Sequence, residues 1–303
     1  MTMTDVARGS RVAVTYGMEN TWGELDTDAT LYQLRVTGIG VNLTKDSFQS
    51  NELRSDRQIA DLRHGMFSVS GDIPVELSHT SFDDIIESAM FNDWQSDDTI
   101  TTGITQKSFT IQKTFTDINQ YHVFPGCVVN TWSLNVTPNG LITSTFNVMG
   151  KTMEIGEAAW TGSATAKSAN SPFDSFTGTL SEGGVVNALV TGIDLTLSNN
   201  LTALQVIGNN HSIGLVDGRA NINGTMTAYF ANSNLLDKFI HETESSLSFT
   251  LSDSSNTMTF LMPRIKYSGG DVPVNDEGPI ILSMPFQALY DSGDGYSLQI
   301  TRS

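Results

Sequence analysis

Three things are scarce in this chain of 303 residues: cysteine, basic side chains and long apolar runs. Cys127 is the sole cysteine, which excludes an intramolecular disulfide and a cysteine-based metal site. Its neighbours Val128 and Val129 predict a buried thiol. Sixteen Lys and Arg stand against 33 Asp and Glu, a net charge of −17. The deficit is shared, because residues 1–150 carry 9 basic and 18 acidic side chains and residues 151–303 carry 7 and 15. A chain this acidic repels nucleic acid, since gripping phosphates needs clustered Lys and Arg. No apolar stretch is long enough to span a bilayer, and the opening Met-Thr-Met-Thr-Asp-Val-Ala-Arg has no apolar signal region. The expectation is a protein kept in a cytosol-like compartment unless a larger assembly exports it, with no membrane partner.

Catalytic and ligand-binding patterns are equally scarce. His64, His79, His122, His211 and His241 are scattered, with no spacing that places two of them on one helix face or hairpin as metal ligands. There is no nucleophile elbow and no phosphate-cradling glycine loop. Asp83-Asp84 falls at a helix start and Asp97-Asp98 in a polar loop, where capping and solvation suffice to explain them. Gly269-Gly270-Asp271 lacks calcium ligands at helix–loop–helix spacing. The expectation is no enzyme, no metal and no cofactor.

What the chain has instead is strand composition and an internal repeat. Only 16% of residues are charged and 26 are Gly, which with abundant Ser, Thr and Asn favours strands and turns. Val36-Thr37-Gly38-Ile39 recurs as Val190-Thr191-Gly192-Ile193. In both copies the inward-facing parity shifts by one residue at the glycine, the pattern a β-bulge produces. Next, Phe67, Val69, Gly71, Ile73, Val75 and Leu77 alternate with polar residues, as Ala220, Ile222, Gly224, Met226, Ala228 and Phe230 do later. Period-two alternation over this length predicts one face in a core and one towards water. A helix stripe follows in each copy: Phe82, Ile85, Ile86, Ala89 and Met90, then Leu236, Phe239, Ile240 and Thr243. Thr80 or Ser81 is the expected cap of the first helix, and Asn232, Ser233 or Asn234 of the second. Strands close each copy, and the first has an extra stretch at 92–103. The reading is a mainly β chain with a first domain at 1–155, a flexible small-residue linker at 156–172 and a second domain at 173–303.

Between the first two strands of each copy lies a long arm, 45–64 and 199–217, where a two-residue turn would have sufficed. The first is rich in charge of both signs: Lys45, Asp46, Glu52, Arg54, Asp56, Arg57, Asp61 and Arg63. Mixed charge suits register-setting contacts with another protein surface. The second is apolar, with Leu201, Leu204, Val206, Ile207, Ile213 and Leu215, and such aliphatics imply a partner.

Several ordered runs resemble the tail-tube proteins of long-tailed bacteriophages. They include Ser70-Gly71-Asp72-Ile73-Pro74-Val75-Glu76-Leu77-Ser78 with Phe82-Asp83-Asp84, and Lys113-Thr114-Phe115-Thr116-Asp117. Tyr267-Ser268-Gly269-Gly270-Asp271-Val272-Pro273-Val274 and Met284-Pro285-Phe286-Gln287-Ala288-Leu289-Tyr290 extend the likeness, which covers most of the chain. The resemblance implies two tandem tail-tube-type β-sandwich domains, each with a flanking helix and an arm that docks on the adjacent ring. Because single-domain relatives form hexameric rings, a duplicated chain implies trimeric, pseudo-hexameric rings stacked into a hollow virion tail tube, assembled in the host cytoplasm. It also implies a tape-measure protein and tail terminator or tip proteins as partners, with DNA passing through unbound. A tail-terminator or tail-tip ring protein shares this fold, and a glycan-binding sandwich is a more distant alternative. On the alternating strands the polar faces are Ser68, Ser70, Asp72 and Glu76, then Asn221, Asn223, Thr225 and Thr227. These are the candidate lumen face, although the sequence leaves the tube exterior open as their location.

Overall fold

In a computed structural model, residues 6–24, 29–156, 164–186, 189–274 and 277–303 are described. The first half contains β1 (Val12–Met18), β2 (Tyr32–Gln33), β3 (Asn42–Gln49), β4 (Leu62–Glu76), α1 (Asp83–Met90) and β5 (Thr99–Thr101). It continues through β6 (Phe109–Phe115), β7 (Gln120–Val136), β8 (Thr143–Gly150) and β9 (Glu154–Gly156). The second contains β10 (Thr165–Ala166), β11 (Asp174–Glu182), β12 (Val185–Val186), β13 (Val190–Ser198), β14 (Thr202–Leu204), β15 (Gly214–Val216) and β16 (Asn221–Tyr229). After α2 (Asn234–Ile240) come β17 (Ser245–Ser252), β18 (Thr257–Tyr267), β19 (Ile281–Ala288) and β20 (Gln299–Arg302).

The architecture is mainly β, and the strand order of one half recurs in the other. Antiparallel neighbours run β1–β6–β7–β8–β4–β3 in the first half. In the second they run β11–β17–β18–β19–β16–β13. Each half places its helix after the long alternating strand. β7 belongs to two sheets, since its start pairs with β6 and β9 and its end with β8 and β13. Passing one strand from sheet to sheet lets two twisted layers enclose an apolar core.

Alternation sets that core. On β4 the residues Val69, Ile73 and Val75 are buried while Ser68, Ser70, Asp72 and Glu76 are exposed. β16 repeats the pattern with Ile222, Met226 and Ala228 buried. Gly71 and Gly224 occupy inward positions because a neighbouring backbone comes too close for a side chain. A Cβ at Gly71 would collide with the carbonyl of Gly40, and one at Gly224 with that of Asp194. The bulge expected at Gly192 is present as a register shift between Val190 and Gly192. Its counterpart at 34–41 is not a regular strand, although Thr37 N and Gly40 N donate to Pro74 O and Asp72 O at 2.9 and 2.7 Å. The difference has a physical origin: β13 lies between β16 and β7, whereas the first-half segment has a neighbour on one side.

Two local expectations are corrected. Neither Thr80 nor Ser81 caps α1, whose N-cap position is Phe82 and receives no side-chain bond; Ser81 instead accepts from Ser78 at 2.7 Å. At α2, Asn232 Oδ1 accepts from Asn234 N at 3.0 Å. The described part of the linker is also held rather than loose. Thr165 and Ala166 pair in parallel with Tyr32 and Gln33, Lys167 is ion-paired with Asp84, and Asn170 O accepts from Arg35 at 2.6 Å. Residues 157–163 of the linker lie outside the described residues.

The two halves share one apolar cluster, which joins Trp132, Phe146 and Phe173 to Phe249, Phe260 and Phe286. The extra stretch of the first copy contributes, because its β5 pairs with β20 of the second half. Arg302 on β20 closes this seam. It forms ion pairs with buried Asp83 on α1 and, at 2.8 Å, with Asp98, and it lies 4.4 Å over the Trp94 ring. Removing one partner of a buried pair strands the other charge, so Arg302→Ala is expected to cost about 3–5 kcal/mol in urea unfolding. Burial already raises the Asp83 pKa above the ordinary carboxylate value, against the pull of Arg302. A raised folded-state pKa means the native state holds the proton longer than the unfolded chain. Stability from this group is therefore full below the unfolded value and falls as pH rises through the folded one. The Arg302→Ala defect should accordingly be larger at neutral than at acidic pH.

Candidate assembly surfaces

The first candidate surface is the seam where the two copies meet as one sheet. β13 pairs with the end of β7 in register from Ile193↔Val136 to Ser198↔Thr131. Beyond Ser198 the ladder is extended by Asn199 N donating to Asn130 O at 2.8 Å. The buried Asn199 side chain then donates to the carbonyls of Ala89 and Val129 at 3.0 and 2.9 Å. Leu201 N donates to Asn130 Oδ1 at 2.9 Å. Two former edge strands are thereby closed against each other, which removes one pair of open ladders.

The arms are hairpins rather than irregular loops. In the first, β3 and β4 run past the sheet to Gln49 and Leu62, so the irregular part is residues 50–61. In the second, β14 and β15 pair from Thr202↔Val216 to Leu204↔Gly214. The second arm is rooted on the first copy: Leu201 and Leu215 are buried in a cluster with Phe91 and Val128. Gln106 Nε2 donates to Leu215 O and Asp217 Oδ1, each at 3.2 Å. Phe67 N of β4 donates to Asn210 O at 2.7 Å. Leu204, Val206 and Ile213 remain nearly half exposed, and Ile207 fully so. The apolar set is thus split, with two residues anchoring the arm and four facing outward.

On the first arm, many charges are matched within the arm. Arg54 forms a bidentate pair with Asp56 at 3.0 and 2.6 Å, and Arg63 pairs with Asp61 at 3.1 Å. Lys45 Nζ lies 4.3 Å over the Phe67 ring. Asp46, Glu52 and Arg57 are exposed on the same arm. Sequence reasoning passed over the apolar residues between them: Phe48, Leu53, Ile59 and Leu62 are all at least half exposed, Leu53 completely. Their signal was present, since four large apolar residues in a charged segment have no alternation to bury them.

The polar residues of both alternating strands lie on one continuous sheet face. Residues directly opposite on neighbouring strands point the same way. Asp72 faces Asn147 and Pro74 faces Thr145; Thr145 faces Ser133, Ser133 faces Thr196, and Thr196 faces Asn223. Ser68, Ser70, Asp72, Glu76, Asn221 and Asn223 are exposed, while Thr225 and Thr227 are half-buried. Short polar contacts link the strands: Asn147 donates to Asp72 at 2.6 Å, Thr44 and Ser68 share a bond of 2.7 Å, and Asn135 donates to Asp194 across the seam. Asp72, Glu76 and Asp194 put carboxylates on this face, and none of the residues named on it is basic.

Among the described residues, no group of His, Cys, Asp and Glu is arranged to hold a metal, and no helix is long and apolar enough to cross a membrane. Cys127 is fully buried, and burial pushes its thiol far above the ordinary value. Among curated proteins, no sequence matches the chain significantly. The family model of phage tail tube proteins matches residues 9–288. Since that match spans nearly the whole chain, including both strand repeats and both arms, the chain belongs to the phage tail tube protein family.

Proposed function

We propose that this tail tube structural protein is the major tube subunit of a virion tail, and that three chains close a ring of six tube domains. The observation that carries the reading is the β7·β13 seam, where two repeats of one strand order already sit edge to edge in one sheet. If each domain meets its neighbour this way, six domains divide into three chains, with domains at 1–155 and 173–303 joined by the linker at 156–172. Closure by edge pairing leaves no open ladder in the ring.

The continuous polar face lines the lumen in this reading. Its carboxylates and short amides and hydroxyls repel phosphate, and Lys266, which the register places on the same face through Gln287 and Asn223, stands 3.9 Å from Glu244; a face so composed suits a conduit for DNA. The outward part of each arm docks on the next ring: Lys45, Asp46, Glu52, Arg54, Asp56, Arg57, Asp61 and Arg63 with their exposed apolar neighbours on one arm, Leu204, Val206, Ile207 and Ile213 on the other. The tape-measure protein and the terminator and tip proteins would meet the tube at its lumen and its ends.

Negative-stain microscopy with mass measurement tests the proposal. Hollow rings or tubes are expected, with a ring mass three times the 32.9 kDa of the chain. A sixfold multiple would remove the three-chain ring. Cysteines placed at Asp72 and Thr225 should resist large thiol reagents in intact tubes; ready labelling from outside would put this face on the exterior.

A further inference from the structure

Two segments of the chain have lost the neighbour that their repeats possess, and they are the two halves of one junction. This inference rests on the ring reading and names the surfaces that join one chain to the next. The repeats can be superposed strand by strand. Gly71 pairs with Val148 and Gly224 with Phe286; Val129 pairs with Val148 and Tyr267 with Phe286. Beyond that point the register slips by one residue in both halves, so that Ser133 pairs with Thr145 and Asp271 with Ser283. Residues 269–274 are therefore the counterpart of 131–136, the end of β7 that receives β13. They lie beside β19 but form no regular strand. Likewise Thr196 pairs with Asn223 and Asn42 with Ser70, which makes residues 39–44 the counterpart of 193–198. Their far edge has no strand beside it among the described residues.

We infer that residues 39–44 of one chain pair antiparallel with residues 269–274 of a second copy, in the register of the internal seam. Asn42 then faces Asp271, Val41 faces Val272 and Ile39 faces Val274. The backbone polarity agrees. Asp271 exchanges both bonds with Ser283, at 3.0 and 2.9 Å, so Gly270, Val272 and Val274 aim their N–H and C=O groups at the open side. Pro273, which lacks an N–H, falls where that group would have pointed back at β19. Gly40 N donates to Asp72 O, so Ile39, Val41 and Leu43 supply the matching groups. At Val41, which is fully buried, the carbonyl accepts from the buried Lys113 ammonium, so here the partner strand takes the place of that side chain. An inward-pointing charge beside an open edge also blunts wrong pairing before assembly.

The chemistry of the two junctions differs. In the internal seam the arm packs Leu201 and Leu215 on Val128 and Phe91, and Val128 pairs with Met149. The matching cross-strand pair in the second copy is Lys266 with Gln287. Close by, Arg264 holds Glu244 in a bidentate pair at 2.8 and 2.7 Å, and Lys266 lies 3.9 Å from the same carboxylate. The arm that would reach this site is the first, the charged one. A charged arm would thus meet a charged seat between chains, where within the chain an apolar arm meets an apolar seat. The chain-to-chain contact should therefore weaken as salt rises, while the internal seam should not.

A double variant of the full chain, Asn42→Cys with Asp271→Cys, tests the register. These positions form a non-hydrogen-bonded pair, where Cα atoms approach to about 4.5 Å and a disulfide fits. After assembly and mild oxidation, the free-chain band should be lost to covalent dimers and trimers that reducing agent reverses. Either single variant, and the displaced pair Asn42→Cys with Val274→Cys, should stay uncrosslinked. Rings or tubes that form with the Asn42/Asp271 pair unlinked would overturn the register and leave the tube reading standing. Wild-type chain that remains monomeric would overturn both. Should the double variant not fold, amide exchange on wild-type protein decides: Leu43, Gly270 and Val272 should become protected on ring formation, and unchanged exchange rejects the junction.

Discussion

Replacing Trp132 by alanine is expected to lower the unfolding free energy by about 3–5 kcal/mol, the usual range for truncating a buried tryptophan or phenylalanine. Trp132 is 3% exposed and stacks on Phe146 with ring centres 5.5 Å apart. Its other neighbour, Phe260, stands 6.0 Å away and belongs to the second half. The indole Nε1 donates to Ser144 Oγ at 2.7 Å, and the residue itself sits on β7 opposite Leu197 of β13. Truncation would open a cavity where both copies meet and remove a donor from a buried hydroxyl. Trp132→Phe, which keeps the stacking and loses the hydrogen bond, should cost about 1 kcal/mol. Urea unfolding followed at the wild-type slope measures both. Because one core spans the halves, a single transition is expected; two separate transitions would show that the copies unfold independently.

Deleting residues 47–61 and closing the gap with a short glycine turn should leave the fold intact and abolish tubes. Every residue removed is exposed, and the ion pairs lost with them join neighbours within the arm. Surface losses of this kind change stability by about 0.5 kcal/mol or less, so the melting curve should scarcely move. What disappears is a projecting surface with Phe48, Leu53 and Ile59 at its disposal, a patch that a solitary molecule has no reason to expose. The expected micrograph shows no tubes. Tubes of normal length from this variant would remove the arm from stacking. Reversing the sign of Arg54 and Asp56 together preserves their internal pair and isolates the role of charge pattern from that of bulk.

The alternation of Val69, Ile73 and Val75 with Ser70 and Asp72 was legible because a strand with one buried face has no other way to be written. The same holds for β16, the stripe of α1 and the bulge at Gly192, whereas on α2 only Leu236 and Phe239 are partly buried, Ile240 is exposed and Thr243 lies beyond the helix. Residues 34–41 follow the same pattern but do not form a strand, because a ladder needs neighbours, and on one side none is present among the described residues. The arms failed in the other direction. Long connections read as loops, yet β3 with β4 and β14 with β15 continue as hairpins, the second of them rooted on Phe91 and Val128 of the first copy. The capping role expected of Thr80 and Ser81 is absent for a local reason: Ser81 is bonded to Ser78 instead.

The division of the second arm shows where local reading stops. Leu201, Leu204, Val206, Ile207, Ile213 and Leu215 look alike in sequence, and only Leu201 and Leu215 meet Phe91 and Val128. Likewise, acidity alone argued against a phosphate grip, but it could not say that the polar residues of both copies share one face. Period, polarity and repeat spacing are properties of the chain itself, so the β class, the repeated strand pattern and the net acidity were set by sequence alone. Which edges are covered, which aliphatics are anchors and which glycines admit a passing backbone depend on contacts between residues distant in sequence, from Gly224 on Asp194 to Leu215 on Phe91. Those contacts exist only once strands have paired within each copy and the two copies have packed on each other, and so the tertiary structure alone decided them.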